Sequence, residues 1–120
     1  QDYSRAEQAY ATAAKLDADG AMGLMAALGQ AGALIKLDRP AEAVTLLQGL
    51  ESRATEDGRA TLRMLLGEAA EAAGKTDVAV AAYEALAASQ PGLDGEFYRS
   101  RAEALGGGKT APVKDGAENK

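Results

Sequence analysis

The chain has no cysteine, no histidine and no tryptophan among its 120 residues. Without cysteine there is no disulfide, no thiol nucleophile and no thiolate zinc site. Without histidine there is no imidazole base for a serine nucleophile and no His metal ligand. Aromatics are scarce, with one Phe and four Tyr, and β-branched aliphatics equally so, with four Val and one Ile. Strands are built from those residue types, so an all-β fold is close to excluded. No apolar run approaches the roughly 18 residues of a membrane-spanning helix, and no signal peptide is legible. Positive charge is also thin. Residues 1–105 hold ten Lys and Arg against sixteen Asp and Glu, and residues 106–120 hold three against two. No basic stripe exists for nucleic acid or anionic lipid.

What the chain does have is alanine and leucine, 29 and 14 residues, both strong helix formers. The fold class is therefore all-α. A length of 120 residues leaves room for one small domain or a few repeats. Leu, Ile, Val and Phe together number only 20, a low share for a globular domain. Alanine carries the apolar fraction instead. It buries little area per residue, so thin, close helix packing and modest stability are expected. The chain opens on Gln1, directly into a helical pattern, which suggests a segment of a longer protein.

Apolar spacing and turn residues predict six helices. The first runs over about 3–17, capped by Asp2 or Ser4, with Tyr3, Ala6, Tyr10, Ala13 and Leu16 on one stripe. Asp17, Asp19 and Gly20 form a turn. The second covers about 20–37, and its Gly23, Gly29 and Gly32 are expected where neighbouring helices approach closely. Pro40 suits the first turn of a third helix, about 40–53, because a proline lacks only an N–H that has no partner there. A polar loop from Ser52 to Gly58 precedes a fourth, about 59–73. Gly74 is a fitting stop, and Thr76 or Asp77 a fitting cap for a fifth, about 76–89. After Gln90-Pro91-Gly92, Asp94 is expected to cap a sixth, about 95–105. The remainder, 106–120, is rich in Gly and charge and is expected to be a disordered tail.

The pattern repeats. Ala6, Ala43 and Ala79 occupy matching places, 37 and 36 residues apart. Between Thr61 and Pro91 stand Leu66-Gly67, Ala79, Tyr83 and Pro91. This stretch resembles the tetratricopeptide repeat, a helix–turn–helix unit of about 34 residues marked by L-G, A-x₃-F and a closing proline. The segments around Asp2–Asp17 and Asp38–Leu50 resemble the second helix of the same unit. Arg63 and Ala70 stand where the family places aromatics, which lightens the core. The likeness spans about residues 2–105, within one domain read as residues 1–105. It implies antiparallel helical hairpins stacked as a short superhelix, about 2.5 repeats plus a C-terminal capping helix. Small residues at Gly67 and Ala79 would let the paired helices touch, and Tyr83 would fill the gap toward the next hairpin.

Candidate chemistry is sparse. Gly108-Lys109-Thr110 matches only the end of a phosphate-binding loop, whose first glycine would fall at Glu103, and a flexible tail is the reading adopted. Asp17-Ala18-Asp19-Gly20 starts like a calcium loop, but its closing glutamate position is Leu28, so a helix cap and turn is preferred. Glu68 and Glu71 share a helix face, and Glu71 has Lys75 four residues on as an ion-pair partner. Without an aromatic pocket to desolvate them, they read as a solvated wall. Met22, Met25 and Met64 could form an adaptable surface, with core filling the simpler reading. Phe97 and Tyr98 read as a cap over the stack.

In the family that the chain resembles, the first helix of each pair lines a concave groove that receives a peptide or helix. Carried over, the lining is Met25, Leu28, Gly32, Ile35 and Lys36, then Thr61, Met64, Glu68, Glu71 and Ala72, then Tyr98 and Ala102. The resemblance thus implies a non-enzymatic interaction scaffold without a cofactor. Its partner would be an amphipathic helix or basic-apolar peptide. The alanine and glycine content suggests a bacterial source. Two alternatives stand beside it. The unpaired first helix could drive homo-oligomerisation in an assembly or spacer element, or the segment could be a cell-envelope accessory domain. Lack of cysteine suits cytoplasm and periplasm alike.

Overall fold

The computed structural model describes residues 2–106, in which every regular element is helical. The six α-helices are α1 (Tyr3–Leu16), α2 (Ala21–Lys36), α3 (Pro40–Leu50), α4 (Glu56–Ala72), α5 (Thr76–Ser89) and α6 (Gly92–Ala104), with a 3₁₀ turn at Glu51–Arg53. Each helix packs on the next in the chain, and α2 also packs on α4. The assembly is elongated, 54 × 28 × 24 Å.

Local signals account for most helix ends. Asp2 caps α1, its carboxylate accepting from Arg5 N at 3.0 Å. The turns after α2 and α4 are the same motif, 36 residues apart. Asp38 N and Arg39 N donate to Ile35 O and Leu34 O, and Gly74 N and Lys75 N donate to Glu71 O and Ala70 O. Both are Schellman turns, which need a left-handed residue after the helix. Gly74 supplies it with φ +76°, and Asp38 with φ +60°. Pro40 and Thr76 then open the following helices.

Several ends differ from the sequence reading. The fourth helix begins three residues earlier than expected, at Glu56, because the Thr55 hydroxyl accepts from Gly58 N at 3.3 Å. Gly58, a breaker by propensity, sits buried in that first turn facing Leu24. The third helix stops at Leu50 and continues only as the 3₁₀ turn. α5 takes Lys75 at its cap with no side-chain bond, leaving Thr76 and Asp77 inside the first turn. α6 starts at Gly92, so Asp94 lies within its first turn and caps nothing. The expectations for residues 107–120 lie outside the described residues.

The core is one cluster running through α2 to α6. Ala31, Ala43, Ala69, Ala70 and Ala79 are fully buried. Where two helices cross, a larger side chain would hold the backbones apart. Leu47, Leu62, Leu86 and Val44 are the largest fully buried side chains, and truncating any of the leucines to alanine should cost about 2–5 kcal/mol. α1 buries none of its residues completely. It is tied to α2 by Gln30 Nε2 donating to Glu7 Oε2 at 2.8 Å, and by the Tyr10 ring lying over Gly29. Gly23 lies so close to the end of α1 that a Cβ there would be 1.8 Å from Asp17 O. Gly32 is different: a Cβ would meet nothing within 4 Å, so this glycine marks no close approach.

Candidate functional site

Two hollows open on α4, and its residues Thr61, Met64, Leu65 and Glu68 are spaced to share one helical stripe. The first hollow, about 730 Å³, lies between α1, α2 and α4 and is almost wholly apolar. Tyr10 and Leu16 come from α1, Met22, Met25 and Leu28 from α2, and Thr61 and Leu65 from α4. Much of this surface faces water: Leu16 is 83% exposed, Met22 77% and Met25 62%. The methionines therefore do not fill the core as the simpler sequence reading had it. The first-helix stripe fails to bury because no helix lies beyond α1 among the described residues to cover Tyr10, Ala13 and Leu16.

The second hollow, about 650 Å³, lies open between α4, α5 and α6. Its wall is built on Gly67. A Cβ at that position would sit 2.7 Å from the Tyr83 ring, so glycine is what lets the ring lie against the α4 backbone. Tyr98 stacks on Tyr83 with centroids 6.2 Å apart and planes 13° from parallel. Phe97 meets Tyr98 edge-on at 5.3 Å. Above the rings, the Tyr83 hydroxyl donates to Glu71 Oε1 at 3.2 Å, and the Arg101 guanidinium grips the same carboxylate with Nε at 3.3 Å and a terminal nitrogen at 2.5 Å. Glu71 thus pairs across to α6, and the local pairing with Lys75 expected from sequence is not made.

These contacts shift two groups. Burial, then the neighbouring Glu71 charge, pushes the Tyr83 phenol above its ordinary value, because both disfavour the phenolate. Hydrogen bonds to Glu71, then to Tyr83, hold the Arg101 guanidinium still more firmly protonated.

Of the residues named from sequence, Met25, Leu28 and Thr61 line the first hollow, and Met64, Glu68, Glu71, Ala72 and Tyr98 the second. Gly32, Ile35, Lys36 and Ala102 line neither. Ile35 is half-buried against the core, Lys36 is exposed at the end of α2, and Ala102 is buried under α6. Tyr10, Leu16, Tyr83, Phe97 and Arg101 were not in that lining. Tyr10, Leu16, Tyr83 and Phe97 carried a signal in their apolar spacing. Arg101 carried none, since its partner lies 30 positions away. No family model, curated protein or solved structure matches the chain.

Proposed function

We propose that the chain is a tetratricopeptide-like, non-enzymatic scaffold that holds a segment of another protein along the α4 stripe. The observation that carries this reading is the pair of hollows meeting on that stripe, with large apolar side chains left in water beside them. Contiguous apolar surface of this kind is costly to a free monomer and is used for partner contacts. The repeat reading is supported by the Schellman turn recurring at 36 residues, with buried Ala43 and Ala79 at matching places after it. In stacked hairpins the groove is preformed, so little ordering cost falls on the scaffold when a segment docks. Methionines at the mouth can repack around different apolar side chains.

The test is a display selection of amphipathic helical peptides on the intact chain. Selected peptides, carrying a fluorophore, are then titrated by anisotropy against Met25→Asp, Met64→Arg and a control, Glu84→Ala, outside both hollows. Tenfold or greater loss with both charged variants and none with the control is expected. Equal binding by all of them would overturn the assignment.

A second reading rests on α1, whose exposed Tyr10 and Leu16 could meet the same helix of another copy. Light scattering over a concentration series decides it, because a constant monomer mass excludes self-association through that edge.

A further inference from the structure

The hollow between α4 and α6 has unequal walls. One is aromatic, formed by Tyr83, Tyr98 and Phe97 packed ring on ring, and Phe97 keeps 63% of its surface open. The other carries two carboxylates. Both oxygens of Glu71 are engaged by Arg101 and Tyr83. Glu68, about one turn earlier, is exposed, and its carboxylate forms no hydrogen bond or ion pair with any described residue. Arg101 neutralises Glu71, so the hollow is left with one uncompensated negative charge beside open π surface.

We propose that this hollow is a subsite for one cationic side chain, a lysine or arginine, presented by the docked segment. The inference rests on the groove reading above and adds what the segment must carry. The aliphatic stem would lie along Met64 and the rings, and the head would meet Glu68 and the π surface of Phe97. An acidic side chain is repelled by Glu68, and the guanidinium of Arg101, the one arginine among the described residues lining the hollow, is already paired with Glu71. A purely apolar side chain would take water from the Glu68 carboxylate and return no partner. The first hollow, apolar on nearly all sides, receives the apolar residues of the same segment.

The probes are n-butylguanidinium and n-butylammonium, with butyrate and n-butanol as controls of equal alkyl length. They are titrated into the isotopically labelled full chain and followed by NMR. Both cations should give saturable shifts centred on Glu68, Phe97 and Tyr98, and Glu68→Gln should weaken them about fivefold, the scale of one exposed ion pair or cation–π contact. Phe97→Leu should weaken them about threefold. Glu103→Gln, an exposed acid of α6 that does not line this hollow, should change nothing. Equal binding of butanol or butyrate, or indifference to Glu68→Gln, overturns the subsite. A selected peptide with its lysines and arginines replaced by norleucine separates the two readings. Unchanged binding that still depends on Met25 sinks the cationic subsite and leaves the groove. Saturable small-cation binding without any groove-dependent peptide sinks the groove and leaves the subsite.

Discussion

Replacing Gly67 by alanine tests the packing that builds the second hollow. The new methyl would lie 2.7 Å from Tyr83 Cε1 and 2.8 Å from Cζ, well inside ordinary carbon–carbon contact of about 3.5 Å. The ring cannot simply retreat. Tyr98 is stacked on it, its hydroxyl is bonded to Glu71, and the residue is only 4% exposed. Overpacking of this kind costs about 1–3 kcal/mol, while alanine recovers about 1 kcal/mol of helix propensity. The net is a loss of about 1 kcal/mol. Gly32→Ala is the control. It lies in α2, whose closing turn matches that of α4, and its added methyl meets nothing within 4 Å, so the propensity gain of up to about 1 kcal/mol stands alone. The propensity gain is common to both variants, and their difference, about 2 kcal/mol, isolates the ring contact. Urea unfolding followed by far-ultraviolet circular dichroism should lower the midpoint for Gly67→Ala and raise it for Gly32→Ala. A further arm uses the 36-residue spacing of the two Schellman turns. Thirty-six residues before Gly67 and Tyr83 stand Ala31 and Leu47, both fully buried. Adding Tyr83→Leu to Gly67→Ala recreates that pair, and the double variant should be more stable than the two single losses predict. If Gly67→Ala stabilised the chain as much as Gly32→Ala does, the account of α4 against α5 would be wrong.

Other positions give sharp expectations. Gly23→Ala should cost more than about 2 kcal/mol in the same assay, because its methyl would meet backbone, Asp17 O at 1.8 Å, which cannot swing aside. At the paired left-handed positions, Gly74→Ala should lose about 1 kcal/mol and Asp38→Gly gain up to about 1 kcal/mol, since a Cβ is strained at positive φ. Calorimetric midpoints moving in the same direction would refute this. Tyr83 titrates above its ordinary value of 10.0 in the folded chain. The native state therefore keeps a proton that the unfolded chain releases. This contribution is complete below the ordinary phenol value and is lost as pH rises through the folded one. Tyr83→Phe should flatten the alkaline limb of a stability–pH curve, and an unchanged limb would assign it elsewhere.

Much of the helical layout was legible because it rests on neighbours in the chain. Asp2, Pro40 and Gly74 act within one turn of their own positions, and the structure uses each as its residue type suggests. The recurrence of Ala43 and Ala79 likewise pointed inward, and both alanines are fully buried. Gly58 and Gly32 misled in opposite directions. Glycine looks the same whether it breaks a helix, relieves a contact or does neither, and only its neighbours in space decide. The candidate lining was partly legible by helical spacing, but spacing cannot show that Ile35 turns to the core while Met22 and Leu16 stay in water.

Residue order alone determined that this chain is helical and placed the turns after α2 and α4, since alanine content, caps and left-handed turn residues act over a few bonds. Tertiary structure alone decided that Glu71 joins Arg101 instead of Lys75, that Tyr83 lies between Gly67 and Tyr98, and that the methionines remain exposed. Those outcomes depend on how the helices stand relative to one another, and that placement follows from filling a shared core rather than from any local pattern.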